Sequence, residues 1–557
     1  MNFETLLDEL LKETFQSSLG FFSPELALSA TIVGLLLVRL FNCDRYLPPS
    51  WLALIGALVA FLFAATQFVD LRGGELTGVW NSIAYYTNLQ TGVTGSTEFF
   101  TGLLVYDQLT VFIKLFLLLF LVLVIVLTVL CGIPDQEDGP DFYTLLLGAT
   151  IGMMIMSSSN HLLMMFLGIE MTSVPSYVMV GFLKGRSKSS EAALKYVVYG
   201  AGAAGVMLYG ISLLCGLMGT AEMPEIAHRL QLLLADGAGI SDATVRTTIL
   251  AILMIFVGIA FKLSLVPFHF WCPDAFEGAS AEVAGFLSVA SKGAAFALLV
   301  RFVLSFVGDE AGALSQISLF LGLGLGLVAA VSATFGNLAA YTQTNIKRLL
   351  AYSTIAHAGY MLMAVSAMVV ILNAPAGSGF DATQQKFEAA RCVEGLLYYL
   401  CVYMFMNLGA FAIVALIRNQ IFSEEIKDYA GLAQQSPGLC WAMLICLFSL
   451  IGIPPMGGFF AKLMIFASVF QAAQIHWFMW VVFAVGCLNT VLSLFYYLRI
   501  LKAMFMEEAP EGSRTFKLSA VEGWYLLFVS VPILLLGTLL MNDLSSTTHE
   551  IASLLIP

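Results

Sequence analysis

Runs of eighteen or more apolar residues recur along nearly the whole length of this chain. A run of that length crosses the hydrocarbon core of a bilayer as one helix. In that solvent no backbone N–H or C=O can be left to water, so the chain is confined to helices that satisfy their own backbones. Its 557 residues would otherwise suggest several soluble domains. With 59% hydrophobic and only 11% charged residues, it reads instead as one all-α, polytopic membrane domain embedded in the lipid bilayer, with no soluble module. A net charge of −12 argues against a nucleic-acid partner. The nine cysteines show no CxxC and no zinc spacing, and the six histidines form no HExxH or haem-like set, so neither a metal nor an iron–sulfur cluster is expected on this chain. Residues 1–22 hold four acidic side chains and lack a basic n-region, so the membrane helices themselves are expected to direct insertion.

The apolar periodicity predicts fourteen helices, at 24–42, 51–70, 105–131, 142–159, 161–183, 189–218, 247–273, 279–306, 314–338, 344–372, 391–417, 436–472, 476–501 and 518–541. Placing the N-terminus outside puts twelve Lys and Arg residues in inner loops, among them Lys184, Arg186 and Lys188, against six in outer segments. The positive-inside bias then predicts both termini outside.

Basic residues inside the helices are the costly feature. A charged lysine at the bilayer centre loses ~2.5–3.5 kcal/mol on insertion scales. Lys262 lies in an apolar run five residues before Pro267, and Lys292 lies in the next run, after a polar turn with Asp274 and Glu277. A second broken helix carries Gly452-Ile453-Pro454-Pro455 and Gly457-Gly458 shortly before Lys462. The two broken, lysine-bearing helices are five apart in order, and an odd offset reverses direction. This predicts two inverted five-helix repeats, 142–306 and 314–506, after N-terminal helices in 1–141 and before a last helix in 518–557. Inverted repeats with broken helices mark ion pathways in transporters.

Each charged residue has a structural alternative. Glu170 lies near the centre of the fifth helix, where a carboxylate is either protonated or paired with a lysine. Lys195, early in the sixth helix, is its natural partner, or else snorkels to the inner face. Lys262, Lys292 and Lys462 can each release a proton when desolvated, which an arginine cannot. Lys114, at the start of the third helix, is expected to snorkel. His357 is either a satisfied core histidine or a relay group in the second repeat, and His269 is expected to cap freed carbonyls near the helix 7 exit. Gly322, Gly324 and Gly326 look like a phosphate loop only as text, because they lie inside a helix.

The stretches 142–177, SEAALKY around Lys195, FKLSLVPFHFWCPDAFEGA (261–279), SKGAAF (291–296), NLAAYTQTNIKRLLAYSTIAHAGY (337–360), YAGLAQQSP (429–437), GIPPMGGFFAKLMIF (452–466) and FYYLRI (495–500) carry a resemblance over residues 100 to 505. The chain resembles the N-subunit family of bacterial proton-pumping NADH:quinone oxidoreductase (respiratory complex I), homologues of mitochondrial NADH dehydrogenase subunit 2. SEAALKY, YAGL and the lack of a long C-terminal lateral helix favour this family within the wider antiporter-like superfamily. The resemblance implies an antiporter-like fold and a proton relay on Glu170, Lys195, Lys262, Lys292 and Lys462, to which the present reading adds His357. It implies no redox cofactor on this chain, with NADH, FMN, iron–sulfur clusters and quinone on partner subunits. Neighbouring antiporter-like and small membrane-arm subunits are the implied partners, in a bacterial inner membrane. Cys272, Phe276 and Ser280 replace the family's usual threonine, tyrosine and proline, and Ala461 replaces a glycine, which touches local loop geometry but no relay residue. Two other functions stay open: a subunit of a multisubunit cation/proton antiporter or membrane-bound hydrogenase-type complex, and a scaffold whose lysines are only structural. Copurifying flavin and iron–sulfur subunits separate the first reading from the antiporter.

Overall fold

The protein is described by a computed structural model covering all residues except 1–7, 9–10, 44–45, 75–78, 93–94, 134–137, 184, 236–241, 308–312, 376–379, 509–515 and 557. Lys184, one of the inner-loop basic residues above, lies outside the described residues. The helices are α1 (Ser23–Leu40), α2 (Pro49–Leu71), the short α3 (Val79–Tyr86), α4 (Gln108–Cys131), α5 (Gly139–Ser158), α6 (Leu162–Val180), α7 (Ser187–Met218), α8 (Met223–Ala235), α9 (Ala243–Leu263) and α10 (Trp271–Gly278). They continue as α11 (Ala281–Leu304), α12 (Ala313–Ala340), α13 (Ile346–Leu372), α14 (Ala382–Ile421), α15 (Pro437–Ile451), α16 (Gly457–Ile475), α17 (Phe478–Met506), α18 (Ala520–Gly537) and α19 (Met541–Leu555). Fourteen of them are long and apolar enough to cross a membrane, the number expected from sequence. A small antiparallel hairpin, β1 (Thr97–Phe99) and β2 (Leu104–Tyr106), precedes α4.

The chain divides into two compact units. The first comprises 1–179, 201–259 and 293–305; the second comprises 180–200, 260–292 and 306–557. In the first, α4 is almost wholly apolar apart from Lys114 and starts where the Asp107 side chain accepts the Thr110 N–H at 2.8 Å. Arg301 ties that cap to the end of α5, donating to Asp107 at 2.6 Å and to the Ser157 carbonyl at 2.8 Å. Lys114 does not snorkel. It is fully buried in an ion pair with Glu25 of α1 at 2.8 Å and also donates to the Phe21 carbonyl at 3.2 Å. An unpaired ammonium would have had to reach the interface; a buried carboxylate on a neighbouring helix removes that need.

The second unit is built around α13 and α14, both lined almost wholly by buried residues. α14 runs for 40 residues from a capping box at Asp381 and Gln384, and α19 packs along it, with His549 2.9 Å from Glu394. The expected helix at 436–472 is two helices, α15 and α16, separated at Gly452-Ile453-Pro454-Pro455. The expected helix at 247–273 ends earlier, at Leu263, and resumes as α10.

Candidate functional site

The two breaks share one backbone design. α9 stops at Leu263 because Ser264 takes a left-handed φ of 58°, with the Leu265 N–H bonding back to the Ala260 carbonyl at 2.9 Å. α15 stops at Ile451 because Gly452 has φ 90°, with the Ile453 N–H bonding to the Phe448 carbonyl at 3.0 Å. Both are Schellman-type endings. In a continuing helix the Leu263 carbonyl would bond the N–H of residue 267, and the Leu450 and Ile451 carbonyls those of residues 454 and 455. All three positions are proline and have no N–H to give.

Lysines take the missing role. Lys292 Nζ donates to the Leu263 carbonyl at 2.8 Å. Lys462 Nζ donates to the Leu450 and Ile451 carbonyls at 3.0 and 2.9 Å and sits 4.7 Å from the centre of the Tyr360 ring. Both lysines are buried, as is Lys262 on the last turn of α9. The sequence pairs Lys262 with Lys462 as repeat mates, yet the capping counterpart of Lys462 is Lys292. Gly452 is needed here twice over: a Cβ would be strained at that φ and would come 3.1 Å from Lys462 Cδ. Gly458 lets its N–H reach Ser449 Oγ at 3.1 Å, where a Cβ would collide with the Ser449 carbonyl.

His357 lies buried on α13 between two tyrosines. Its Nδ1 is 2.5 Å from the Tyr399 hydroxyl and its Nε2 3.2 Å from that of Tyr497, which also bonds Ser353. Lys462 is within electrostatic reach. A ring with a hydroxyl on each nitrogen can take a proton on one side and give it on the other. His269 does not cap carbonyls as expected: its ring packs 4.4 Å from Phe270 and 4.5 Å from Phe335, and its Nδ1 is buried without a hydrogen-bond partner among the described residues.

Lys195 takes partners that the sequence reading did not assign to it. It lies 2.7 Å from Glu191 and 2.8 Å from Asp274 of α10. Asp274 also accepts from Arg348 at 2.6 Å, and Glu277 accepts from Arg348 and Lys188, both at 2.9 Å. Burial would raise the Asp274 and Glu277 carboxyls, but Lys195 and Arg348 on the first, and Lys188 and Arg348 on the second, hold both below their ordinary values. Glu170 stands half-buried in the middle of α6, in the first unit, within electrostatic reach of Tyr177. Sequence reasoning missed Lys347, Glu282 and Glu424. Nothing local to Lys347 marks its burial, and its neighbour Arg348 stays partly exposed.

The chain matches the family described as NADH:quinone oxidoreductase/Mrp antiporter, TM, over residues 159–374 and 383–490. It is 38% identical over 491 residues to NADH-quinone oxidoreductase subunit N 1 of Koribacter versatilis (strain Ellin345), covering 88% of this chain and 87% of the relative. It is 36% identical over 520 residues to NADH-quinone oxidoreductase subunit N of Anaeromyxobacter sp. (strain Fw109-5), covering 90% and 91%. A chain of respiratory complex I from Thermus thermophilus with bound aureothin superposes with a TM-score of 0.68 at 27% identity, covering 94% of this chain and 98% of that one. A chain of the Mrp complex from Dietzia sp. DQ12-45-1b shares the fold, with a TM-score of 0.71 at 19% identity over 96% and 97%.

Proposed function

We propose, for a chain that belongs to the subunit N family of NADH-quinone oxidoreductases, that the lysines at its two broken helices carry the protons. The chain is an antiporter-like, proton-translocating membrane subunit of that oxidoreductase. The observation that carries the residue assignment is the capping of proline-orphaned carbonyls by Lys292 and Lys462. An ammonium has three N–H donors and a neutral amine two. Two are enough for both carbonyls at Lys462, and one for the single carbonyl at Lys292. Each lysine can therefore lose its proton while the backbone stays bonded. Arginine, always charged, could cap but not release.

In this reading Lys262, Lys292 and Lys462 are the proton carriers, and His357 with Tyr399 and Tyr497 passes protons near Lys462. Glu170 and Lys195 join the relay on family resemblance, with Asp274 fixing the charge of Lys195. We read 142–306 and 314–506 as inverted repeats and both termini as outside, in a bacterial inner membrane. NADH, FMN, iron–sulfur clusters and quinone belong to partner subunits, and neighbouring antiporter-like and small subunits flank this chain.

The test is Lys462→Arg in the intact complex, scored as protons moved per NADH oxidised with subunit content measured separately. The ratio is expected to fall with assembly unchanged. A wild-type ratio would sink the carrier role, because arginine stays charged and has no proton to release.

A further inference from the structure

α13 opens with two adjacent basic residues that meet different fates. Arg348 points to the half-exposed carboxylates of Asp274 and Glu277. Lys347 turns inward, 2% exposed, and donates to the Ala279 carbonyl at 2.7 Å, at the gap where α10 ends and α11 has not begun. Its Nζ is 2.9 Å from Glu424 Oε1, and Arg418 Nε is 3.8 Å from that same oxygen.

Water reaches one side of Lys347. A cavity of about 290 Å³ is lined by Lys188, Ser189, Glu277, Lys347 and Glu424, with Arg186 on its wall. At ~30 Å³ per water molecule it holds several. Glu282 lies in the first turn of α11. It is 1% exposed, its charge reaches Lys347, and its Oε2 is buried without a hydrogen-bond partner among the described residues. Just before it, Ser280 Oγ accepts the Val283 N–H at 3.4 Å at the start of α11.

A second set of hydrogen-bonded polar groups includes a residue of the same helix. Farther along α11, Ser288 Oγ accepts from Asn407 at 2.6 Å. Asn407 also donates to Tyr403 at 3.0 Å, and Tyr403 to Thr354 at 3.2 Å. Lys292 lies one turn beyond Ser288 on the same helix.

We propose that Lys347 is the proton-uptake residue of the second unit and Glu282 its first internal acceptor. The inference rests on the carrier reading above. A proton delivered from the aqueous phase by way of cavity water, which is left unchanged, adds to the neutral amine of Lys347, and the ammonium then gives a proton to the Glu282 carboxylate. This leaves an amine and a carboxylic acid, so one proton moves inward and nothing else changes. Glu424, 2.9 Å from Nζ, pairs with Lys347 while it carries the proton. Arg418, Arg348, Lys188 and Glu277 are the fixed charges around it, and Glu282 faces it from α11.

The experiment measures protons moved per NADH between pH 6 and pH 8.5, with the intact complex in membrane vesicles. Lys347→Arg, Glu282→Gln, Glu424→Gln and Lys462→Arg are compared at matched subunit content. Lys347→Arg and Glu282→Gln are expected to lower the ratio at least two-fold at every pH. Glu424→Gln is expected to approach wild type at pH 6 and fall at pH 8.5, because uptake then proceeds without a carboxylate 2.9 Å from the amine and relies on the proton supply in the cavity. If Lys347→Arg does not assemble, Glu282→Gln decides, since it is isosteric and leaves the Lys347–Glu424 pair in place. A wild-type ratio in Glu282→Gln, or an unshifted pH profile in assembled Glu424→Gln, overturns the proposal and leaves Lys347 a fastener. If Lys462→Arg stops pumping while the uptake variants do not, this inference alone fails. If Lys462→Arg pumps normally as well, the carrier reading fails with it.

Discussion

Lys292 Nζ bonds the carbonyl of Leu263 at 2.8 Å, and that carbonyl is the one whose helical donor would have been Pro267. The proline makes an acceptor that the bilayer cannot solvate, and the lysine brings a charge that the bilayer cannot solvate either. Each defect is the partner of the other.

Lys292→Met should therefore separate stability from transport. It leaves the Leu263 carbonyl unbonded, a cost of about 1–3 kcal/mol. It also removes a buried charge, which offsets much of that loss. Assembly is expected to survive with a melting temperature within a few degrees of wild type, while protons per NADH fall. Normal pumping by Lys292→Met would remove this lysine from the carriers.

Gly452→Ala tests the second break. A side chain at φ 90° costs about 1–2 kcal/mol, and its Cβ would press on Lys462 Cδ from 3.1 Å. The variant should melt earlier and also pump less, because the lysine is displaced from its two carbonyls. Gly438, with nothing near its absent Cβ, serves as the control position for alanine. Equal effects at the two glycines would argue against a close fit at Lys462.

The Glu25–Lys114 pair has no place in the proposed path. Lys114→Met would strand a buried carboxylate at a cost of about 3–5 kcal/mol, whereas the double change Glu25→Leu/Lys114→Met should recover most of it. Complex yield and melting temperature are the readouts. Whatever assembles should pump at the wild-type ratio; a lowered ratio in the double variant would bring the pair into the mechanism.

The carboxyls of Asp274 and Glu277 are held below their ordinary values of 3.8 and 4.5 by Lys195, Lys188 and Arg348, against the effect of burial. A depressed folded-state pKa means that the stabilisation is complete above the unfolded value and lost as pH falls through the folded one. The melting temperature should thus be flat from neutral pH to about pH 5 and then decline. In Asp274→Asn/Glu277→Gln it should start lower at neutral pH and lose that part of the decline. An identical acid limb in the double variant would show that other carboxylates control it.

The helices and both breaks were readable because their signals are local: apolar runs of bilayer length, and prolines beside lysines. The proline positions even specify which carbonyls go unbonded, four residues earlier. What bonds them was not readable, since Lys292 lies on another helix than Leu263. The same limit hid the Glu25–Lys114 pair and made Lys114 look like a snorkelling residue. It also hid Asp274 as a partner of Lys195, for which Glu170 on the preceding helix is the natural partner in sequence. Lys347 carries no local sign of burial, since it sits at a helix start; its burial depends on Glu424 and Ala279, which only tertiary packing brings to it. His357 was legible as a residue, but its role as a ring between two hydroxyls depends on α14 and α17.

α14 has 40 residues, and at 1.5 Å per residue it is a rod of about 60 Å, twice the thickness of a hydrocarbon core. Tyr399, bonded to His357, sits near its middle, and Lys386 lies close to its capped end. The arm between them is about 20 Å long. A tilt of about 5° at the histidine would carry the capped end through roughly 1.7 Å. A spectroscopic label at Lys386 would work as the needle of a gauge, registering at the membrane's edge whatever strain turnover puts on a histidine buried in its interior.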